Sequence, residues 1–208
     1  MEKRGILLVV SGFSGAGKGT LMKELLRRYE NYALSVSATT RKPREGEEEG
    51  REYFFKTREE FEQMIAEGQL IEYACYVGNY YGTPKAYVEQ QLEQGQDVIL
   101  EIEIQGARKV KERFPDTVLL FVSPPGAEEL KRRLTKRGTE SPEVIENRLK
   151  RAVEEAEGIE DYDYFVINDD LEACAEHVHQ IVRCEHSRTL RCGELLHDIR
   201  EELKAFSK

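Results

Sequence analysis

The chain has 208 residues, of which 39% are hydrophobic and 34% are charged, as is typical of a globular protein. Acidic residues outnumber basic ones by 40 to 31, giving a formal net charge of −9, which argues against broad, sequence-independent binding of nucleic acid. The longest apolar run, residues 6–10, is too short to cross a bilayer, and the segment before it leaves no room for a secretory signal. We therefore expect one cytoplasmic unit with no membrane partner, whose four cysteines are reduced thiols.

Short apolar runs rich in β-branched residues alternate with helix-like stretches along the chain. Four of these runs predict buried strands: residues 6–10, 98–102, 118–122 and 164–167. Because helical stretches separate them, the strands should be parallel and share one sheet of an α/β fold.

Three helix starts carry capping signals. Each pairs a hydroxyl residue with a glutamate or a proline: Thr57 with Glu60, Thr83 with Pro84, and Ser141 with Pro142. They predict helices over residues 58–67, 85–94 and 143–157.

Two segments depart from the core pattern. Residues 35–82 contain short Tyr- and Phe-containing stretches and several glycines, which predict a small inserted sheet around one helix. Residues 126–157 are helical and rich in arginine. The predicted organisation is a parallel core at about residues 1–34, 84–125 and 158–184, an inserted lobe at about 35–83, a helical segment at about 126–157, and a helical tail at 185–208.

The residues after the first predicted strand match the G-x-x-x-x-G-K pattern of a phosphate-binding loop. The loop comprises Gly12, Phe13, Ser14, Gly15, Ala16, Gly17, Lys18, Gly19 and Thr20, and a helix is predicted from Leu21 to Tyr29. Glycines let main-chain N–H groups converge on phosphate oxygens, while Lys18 would lie over the β- and γ-phosphates. A dinucleotide-binding loop is the competing functional interpretation, but Lys18 and the lack of a clear acidic residue ending a second strand count against it.

The residue after Lys18 is Gly19, where this loop most often has Ser or Thr. The hydroxyl that commonly binds Mg²⁺ is therefore missing. We expect no direct protein ligand for the metal, which would be held by nucleotide phosphates and water, and Thr20 is available to contact a phosphate.

Further segments follow the loop in a fixed order. They are residues 35–47 (SVSATTRKPREGE), 50–54 (GREYF), 71–74 (IEYA), 78–84 (GNYYGTP), 100–106 (LEIEIQG) and 137–140 (RGTE). Together with the phosphate loop they resemble guanylate kinases from about residue 4 to 184. The resemblance implies a P-loop NTPase-type parallel sheet flanked by helices, a GMP-binding lobe at about 35–83 and a mobile helical lid at about 126–157. It also implies γ-phosphoryl transfer from ATP to GMP with Mg²⁺ as cofactor, in a monomer or homo-oligomer.

The resemblance assigns roles to matched positions. On the GMP phosphate it places Arg41, Arg44, Tyr53 and Tyr81; on guanine, Ser37, Glu72 and Thr83; and around the transferring phosphoryl group, the lid residues Arg133, Arg137 and Arg148. The implied catalytic set is Lys18, Arg41, Arg133, Arg137 and Arg148. Glu101 and Glu103 match a strand-end acidic pair of the GMP site, although the family usually has Asp at the second position. Arginine suits these tasks because a guanidinium group binds phosphate oxygens through two parallel N–H bonds.

Five of these residues also have purely structural interpretations, and the first is Glu72, which follows two apolar residues and could be a strand-edge charge. Thr83 could cap the following helix, and Tyr81 could be a packing aromatic. Glu101 could be a strand-end charge, and Arg148 a surface charge on a helix.

Two alternative functions stay open. One is a monophosphate kinase with another base preference, for which Glu72 is the discriminating residue. The other is a catalytically inactive guanylate-kinase-like module that binds protein ligands, against which the intact loop with Lys18 counts.

The C-terminal stretch contains three of the four cysteines and all four histidines of the chain: Cys174, His177, His179, Cys184, His186, Cys192 and His197. Their spacing matches no zinc module with paired ligands, so we expect no tightly bound metal. We predict an amphipathic helical tail with Leu196, Ile199 and Leu203 on one face, packed on the core or on a second subunit.

Overall fold

The computed structural model describes residues 4–76, 78–136 and 142–206. Its strands are β1 (Leu7–Gly12), β2 (Tyr32–Leu34), β3 (Ser37–Thr39), β4 (Tyr53–Phe55), β5 (Leu70–Tyr76), β6 (Asn79–Pro84), β7 (Asp97–Glu101), β8 (Val118–Ser123) and β9 (Tyr164–Ile167). Its α-helices are α1 (Lys18–Arg28), α2 (Arg58–Ala66), α3 (Lys85–Glu93), α4 (Ile104–Arg113), α5 (Ala127–Lys136), α6 (Pro142–Ala156), α7 (Leu171–His186) and α8 (Gly193–Lys204). Single 3₁₀ turns lie at Ile159–Asp161 and Thr189–Arg191.

A parallel sheet in the order β2-β7-β1-β8-β9 forms the core, as predicted. Side chains alternate between its faces, so Leu8 and Val10 pack with α1 and α7, whereas Leu7 and Val9 pack with α3 and α4. Each such buried side chain contributes about 1.5–3 kcal/mol of hydrophobic stabilisation. Because β1, β7 and β8 are parallel, their carboxyl ends lie at one edge of the sheet, and the helices packed on both faces hold the strands in place.

A smaller sheet in the order β4-β3-β6-β5 lies in the inserted segment. Strands β3 and β4 are parallel, and β6 is antiparallel to both β3 and β5. Phe61 of α2 packs with Ala38 and Leu70 in a buried cluster of its own. The prediction of an inserted sheet around one helix is confirmed.

Two of the three predicted helix starts fall within the described residues, and their outcomes differ. At α2 the capping box is confirmed, because the Thr57 hydroxyl accepts the Glu60 N–H and the Glu60 carboxylate accepts the Thr57 N–H. At α3 the predicted helix is confirmed, because it begins at Lys85, but the predicted cap is wrong, because Pro84 is the N-cap residue and no side chain caps the helix. The third signal, at Ser141, lies outside the described residues.

Two elements near the start of the chain also differ from the prediction. Helix α1 begins at Lys18, three residues before the predicted start. Strand β2, which pairs in parallel with β7, was not predicted, because a strand of three residues is too short to show periodicity.

The C-terminal segment is helical, as predicted, but helix α8 does not pack on the core. None of its residues is fully buried: of the predicted face, Leu196 is half-buried, and Ile199 and Leu203 are 42% and 57% exposed. Packing of this face on the core is therefore wrong, while packing on a second subunit stays a prediction.

Two histidines of α7 join this helix to the parallel sheet. His186 Nε2 lies 2.8 Å from an Asp97 carboxylate oxygen, and His179 lies 2.9 Å from the Tyr32 hydroxyl and stacks on Tyr29. Across the described ranges, no group of three or more His, Cys, Asp or Glu side chains is arranged to hold a metal ion. Among the same residues, no helix has the length and apolar character required to span a membrane.

Candidate active site

The predicted phosphate loop joins the end of β1 to the start of α1. A Cβ atom on Gly12 would lie 2.1 Å from the Val122 carbonyl oxygen, and Gly17 has a φ of +89°. Both positions therefore require glycine. Because α1 starts immediately after Gly17, its first N–H groups have no acceptor within the helix and can bind an anion in the loop.

The Lys18 side chain folds back over this loop. Its ammonium group donates to the carbonyl oxygens of Gly12 at 2.7 Å and Phe13 at 3.2 Å. The positive charge is thereby fixed above the curve of the loop, where a bound phosphate group would lie.

Asn168 and Arg133 brace the loop from behind. The Asn168 side-chain amide is buried and donates to the Ala16 carbonyl oxygen at 2.8 Å. Arg133 donates to the same Ala16 oxygen at 3.4 Å and to the Asn168 carbonyl oxygen at 2.9 Å. Glu129 accepts from Arg133 at 2.6 Å, and hydrogen bonds from Arg132 and Arg133 lower the pKa of Glu129 to about 2. The structure thus brings Arg133 to the phosphate loop as a support of its backbone.

Helix α6 brings further arginines to the same edge of the sheet. Arg148 donates to the Ser14 hydroxyl of the loop at 3.3 Å, so the interpretation of Arg148 as only a surface charge is wrong. Arg151, to which the sequence assigned no role, pairs with Glu103 after β7 at 2.6 Å. Arg137 lies outside the described residues.

The smaller sheet gathers a second cationic group. Arg41 pairs with Glu47 at 2.8 Å and lies 5.3 Å from the centre of the Tyr53 ring. The Tyr53 and Tyr81 rings are 6.0 Å apart. A hydrogen bond to Glu47 raises the pKa of Arg41, and Tyr81 acts in the same direction.

Arg44 and Ser37 lie beside this group. The Arg44 main-chain N–H donates to the Glu47 carboxylate at 2.8 Å, and the Arg44 side chain is exposed. Ser37 is the register partner of Tyr53 across the β3–β4 pair. Five of the seven residues predicted for the monophosphate and the base therefore lie in one region of the smaller sheet: Ser37, Arg41, Arg44, Tyr53 and Tyr81.

Glu72 and Thr83 form a buried polar pair between β5 and β6. The Thr83 hydroxyl donates to Glu72 Oε1 at 2.8 Å, so the expected helix-capping role of Thr83 is replaced by this contact. Glu72 is only 9% exposed, and burial raises the pKa of its carboxyl group. A carboxylate that retains unused acceptor positions in such a place can bind two adjacent donors of a planar ligand.

Glu101 and Glu103 stand at the carboxyl edge of the parallel sheet. Glu101 ends β7 opposite Val10 of β1, close to the start of the phosphate loop. Its side chain is exposed. Glu103 precedes α4 without capping it and pairs with Arg151.

Comparison with known proteins identifies the family. A family model described as Guanylate kinase matches residues 4–185 of the chain. The chain belongs to the guanylate kinase family. The guanylate kinase of Lactococcus lactis subsp. lactis is 54% identical over 93% of this chain and 95% of its own length. The guanylate kinase of Clostridioides difficile is 51% identical over 97% of this chain and 98% of its own length. The crystal structure of guanylate kinase from Anaplasma phagocytophilum has a TM-score of 0.70 and 38% identity, covering 91% of this chain and 90% of that one.

Three residues that contact the candidate site had not been predicted from the sequence: Glu47, Arg151 and Asn168. Asn168 follows the last predicted strand, and the carboxyl ends of parallel strands meet at one edge, so its position was a usable signal. Glu47 and Arg151 had no comparable signal, because both lie in charge-rich segments where most such residues are solvated.

Proposed function

We propose that this guanylate kinase family member transfers the γ-phosphoryl group of ATP to GMP, giving ADP and GDP. The observation that carries the substrate choice is the buried pair of Glu72 and Thr83. Guanine presents N1–H and the N2 amino group as adjacent donors, which one carboxylate can accept together. The Ser37 hydroxyl would donate to O6, because the Thr83 hydroxyl already donates its one proton to Glu72. Adenine presents an unprotonated N1 at that place and would leave the carboxylate unpaired.

The phosphates of ATP would lie in the loop from Gly12 to Thr20. Main-chain N–H groups at the start of α1 and the Lys18 ammonium group would neutralise their charge. Arg148, which contacts Ser14 of the loop, would lie against the transferring group, together with Arg133 and Arg137 of the lid. Because phosphoryl transfer proceeds through a charged, in-line transition state, placement of these cations supplies most of the catalysis.

The phosphate of GMP would bind the group around Arg41. Glu47 orients the Arg41 guanidinium group, and Tyr53 limits its movement. Arg44 and the hydroxyls of Tyr53 and Tyr81 would complete the donors to the monophosphate.

The protein oxygens near the loop fit Mg²⁺, a hard cation that prefers oxygen ligands and keeps several waters. Glu101 and Glu103 would hold it through water, and the ATP phosphates would bind it directly. A Cβ atom at Gly19 would meet nothing within 4 Å. The structure therefore has room for a serine or threonine side chain at this position, and sterics do not explain the glycine. When bound, the ion neutralises charge on the phosphate oxygens. With ATP and GMP as substrates, the cytoplasm is the compartment we propose.

A coupled assay of ADP release tests this function directly. Mg·ATP is held constant while GMP, AMP, CMP and UMP are offered separately. Lys18→Ala protein, purified by the same procedure, serves as the control. GMP should be preferred over AMP by about 10³-fold or more in kcat/KM. Comparable rates with AMP would favour another monophosphate kinase, and no release with any nucleotide would favour a binding module.

A further inference from the structure

Strand β5 contains a β-bulge at Glu72. Its pairing with β6 shifts by one residue between Leu70 and Tyr73, so that Ile71 and Glu72 both lie opposite Thr83. A bulge of this kind leaves one residue outside the regular hydrogen-bond ladder, bends the strand, and commonly redirects a side chain beside an active site. Ile71 and Glu72 are both buried, although neighbouring side chains of a regular strand point to opposite faces. The bulge therefore sets the direction of the Glu72 side chain.

The main chain at this bulge receives hydrogen bonds from outside the sheet. Pro84, the register partner of Leu70, has no N–H group to donate across the ladder. Arg113 of α4 supplies donors instead, because its Nη1 donates to the Ile71 carbonyl oxygen at 3.2 Å and to the Leu70 carbonyl oxygen at 3.5 Å. A charged group of α4 thus holds the two carbonyls immediately before Glu72.

The same side of α4 also reaches the Glu72 carboxylate. Gly106, Val110 and Arg113 are separated by four and three residues, which places them along one side of the helix. A Cβ atom at Gly106 would lie 3.7 Å from Glu72 Oε2, and Val110 shares a buried cluster with Ile71. Helix α4 therefore forms a wall along β5 that contacts both the bulge and the carboxylate.

We propose that Arg113 is a positioning residue of the base site: by holding the carbonyls of the bulge, it fixes the Glu72 carboxylate where it would accept the donors of guanine. The inference rests on the proposed function, because it adds a residue to the same site. Arg113 acts through Glu72, and a binding group displaced by as little as about 1 Å loses much of its effect. Arg113 is itself exposed, so its replacement opens no cavity in the core.

Steady-state kinetics with GMP, AMP and Mg·ATP test the proposal. Arg113→Gln should raise KM for GMP about 10-fold and narrow the GMP-to-AMP ratio, while kcat and KM for ATP change less than about 2-fold. Arg113→Lys should stay within about 3-fold of the wild-type KM, because both bonds come from one nitrogen and an ammonium group can donate both. Arg108→Gln, which removes an exposed cation from the same helix, is the matched control and should change neither KM.

A double-mutant cycle with Glu72→Gln separates positioning from a general structural effect. If Arg113 acts through Glu72, Arg113→Gln should change KM for GMP less than about 2-fold in the Glu72→Gln background. The same rise in both backgrounds, or an unchanged KM in Arg113→Gln while wild type prefers GMP to AMP, would overturn this inference and leave the proposed function intact. A wild type without preference for GMP would overturn both.

Discussion

Replacing Glu72 with Gln tests the basis of guanine recognition most sharply. The substitution keeps the shape of the side chain and an oxygen that can accept the Thr83 hydroxyl, which lies 2.8 Å from the carboxylate in the wild type. It removes the charge and turns one acceptor into a donor, which would face a donor of guanine. The loss of one charge-assisted hydrogen bond and the weakening of a second cost about 2–4 kcal/mol. The kcat/KM for GMP should therefore fall about 30- to 1,000-fold.

The assay is the ADP-release measurement with GMP and AMP, performed on wild type and Glu72→Gln. The GMP-to-AMP ratio should narrow, since a neutral amide no longer repels the unprotonated N1 of adenine. Glu59→Gln, at an exposed position of α2 in the same lobe, is the matched control and should change neither value. If Glu72→Gln leaves both the GMP rate and the ratio unchanged, the base-reading role of Glu72 is refuted.

The same variant should change the pH dependence of folding stability. Burial raises the folded-state pKa of Glu72 above its ordinary value of 4.5, so the folded chain holds this proton to a higher pH than the unfolded chain does. The contribution of Glu72 to the free energy of unfolding is therefore most favourable below pH 4.5 and declines as the pH rises through the folded pKa. Urea unfolding of Glu72→Gln should lack that decline, and at neutral pH the variant should be at least as stable as wild type. A loss of stability at neutral pH would show that the carboxylate serves the fold.

Three further substitutions test the supports of the site. Lys18→Ala should lower kcat about 10²- to 10³-fold with an unchanged melting temperature; near-normal turnover would refute the phosphate-loop assignment. Asn168→Ala removes the buried donor to the Ala16 carbonyl and should cost about 1–3 kcal/mol of stability, raising KM for ATP more than KM for GMP; equal changes in both would show a general effect. Asp97→Ala, which removes the acceptor of the Ile6 N–H and the partner of His186, should cost about 2–4 kcal/mol in urea unfolding with kcat unchanged.

Much of this fold follows from local sequence rules. The buried strands are continuous apolar runs. The capping box of Thr57 and Glu60 supplies hydrogen-bond acceptors for main-chain N–H groups at the start of α2. The glycines of the phosphate loop all lie in one short segment. In each case the residues that decide the conformation are neighbours in the chain. The same locality explains why the inserted sheet was visible, since its turns carry glycines.

Thr83 shows where local rules fail. The Thr-Pro sequence satisfies the pattern of an N-cap, but pairing of β5 with β6 places Thr83 beside Glu72, in a buried position where an unpartnered carboxylate would be costly. The hydroxyl therefore serves the carboxylate, and the helix begins without a side-chain cap. Asn168 is a second residue whose role local rules cannot predict, because its side chain contacts Ala16 of the phosphate loop, 152 positions earlier in the chain.

Carboxylates hold several arginines of the candidate site in place. Glu47 pairs with Arg41, Glu129 with Arg133, and Glu103 with Arg151, and each of these pairs reaches solvent. The Arg151–Glu103 pair is exposed and the other two are partly buried. Because water still reaches each pair and screens its charges, a phosphate group that offers bidentate acceptors can displace the carboxylate or share the arginine with it. This arrangement explains how a chain with a net charge of −9 can bind two anionic nucleotides. The acidic residues orient the arginine side chains of the candidate site and leave them accessible to the phosphate groups.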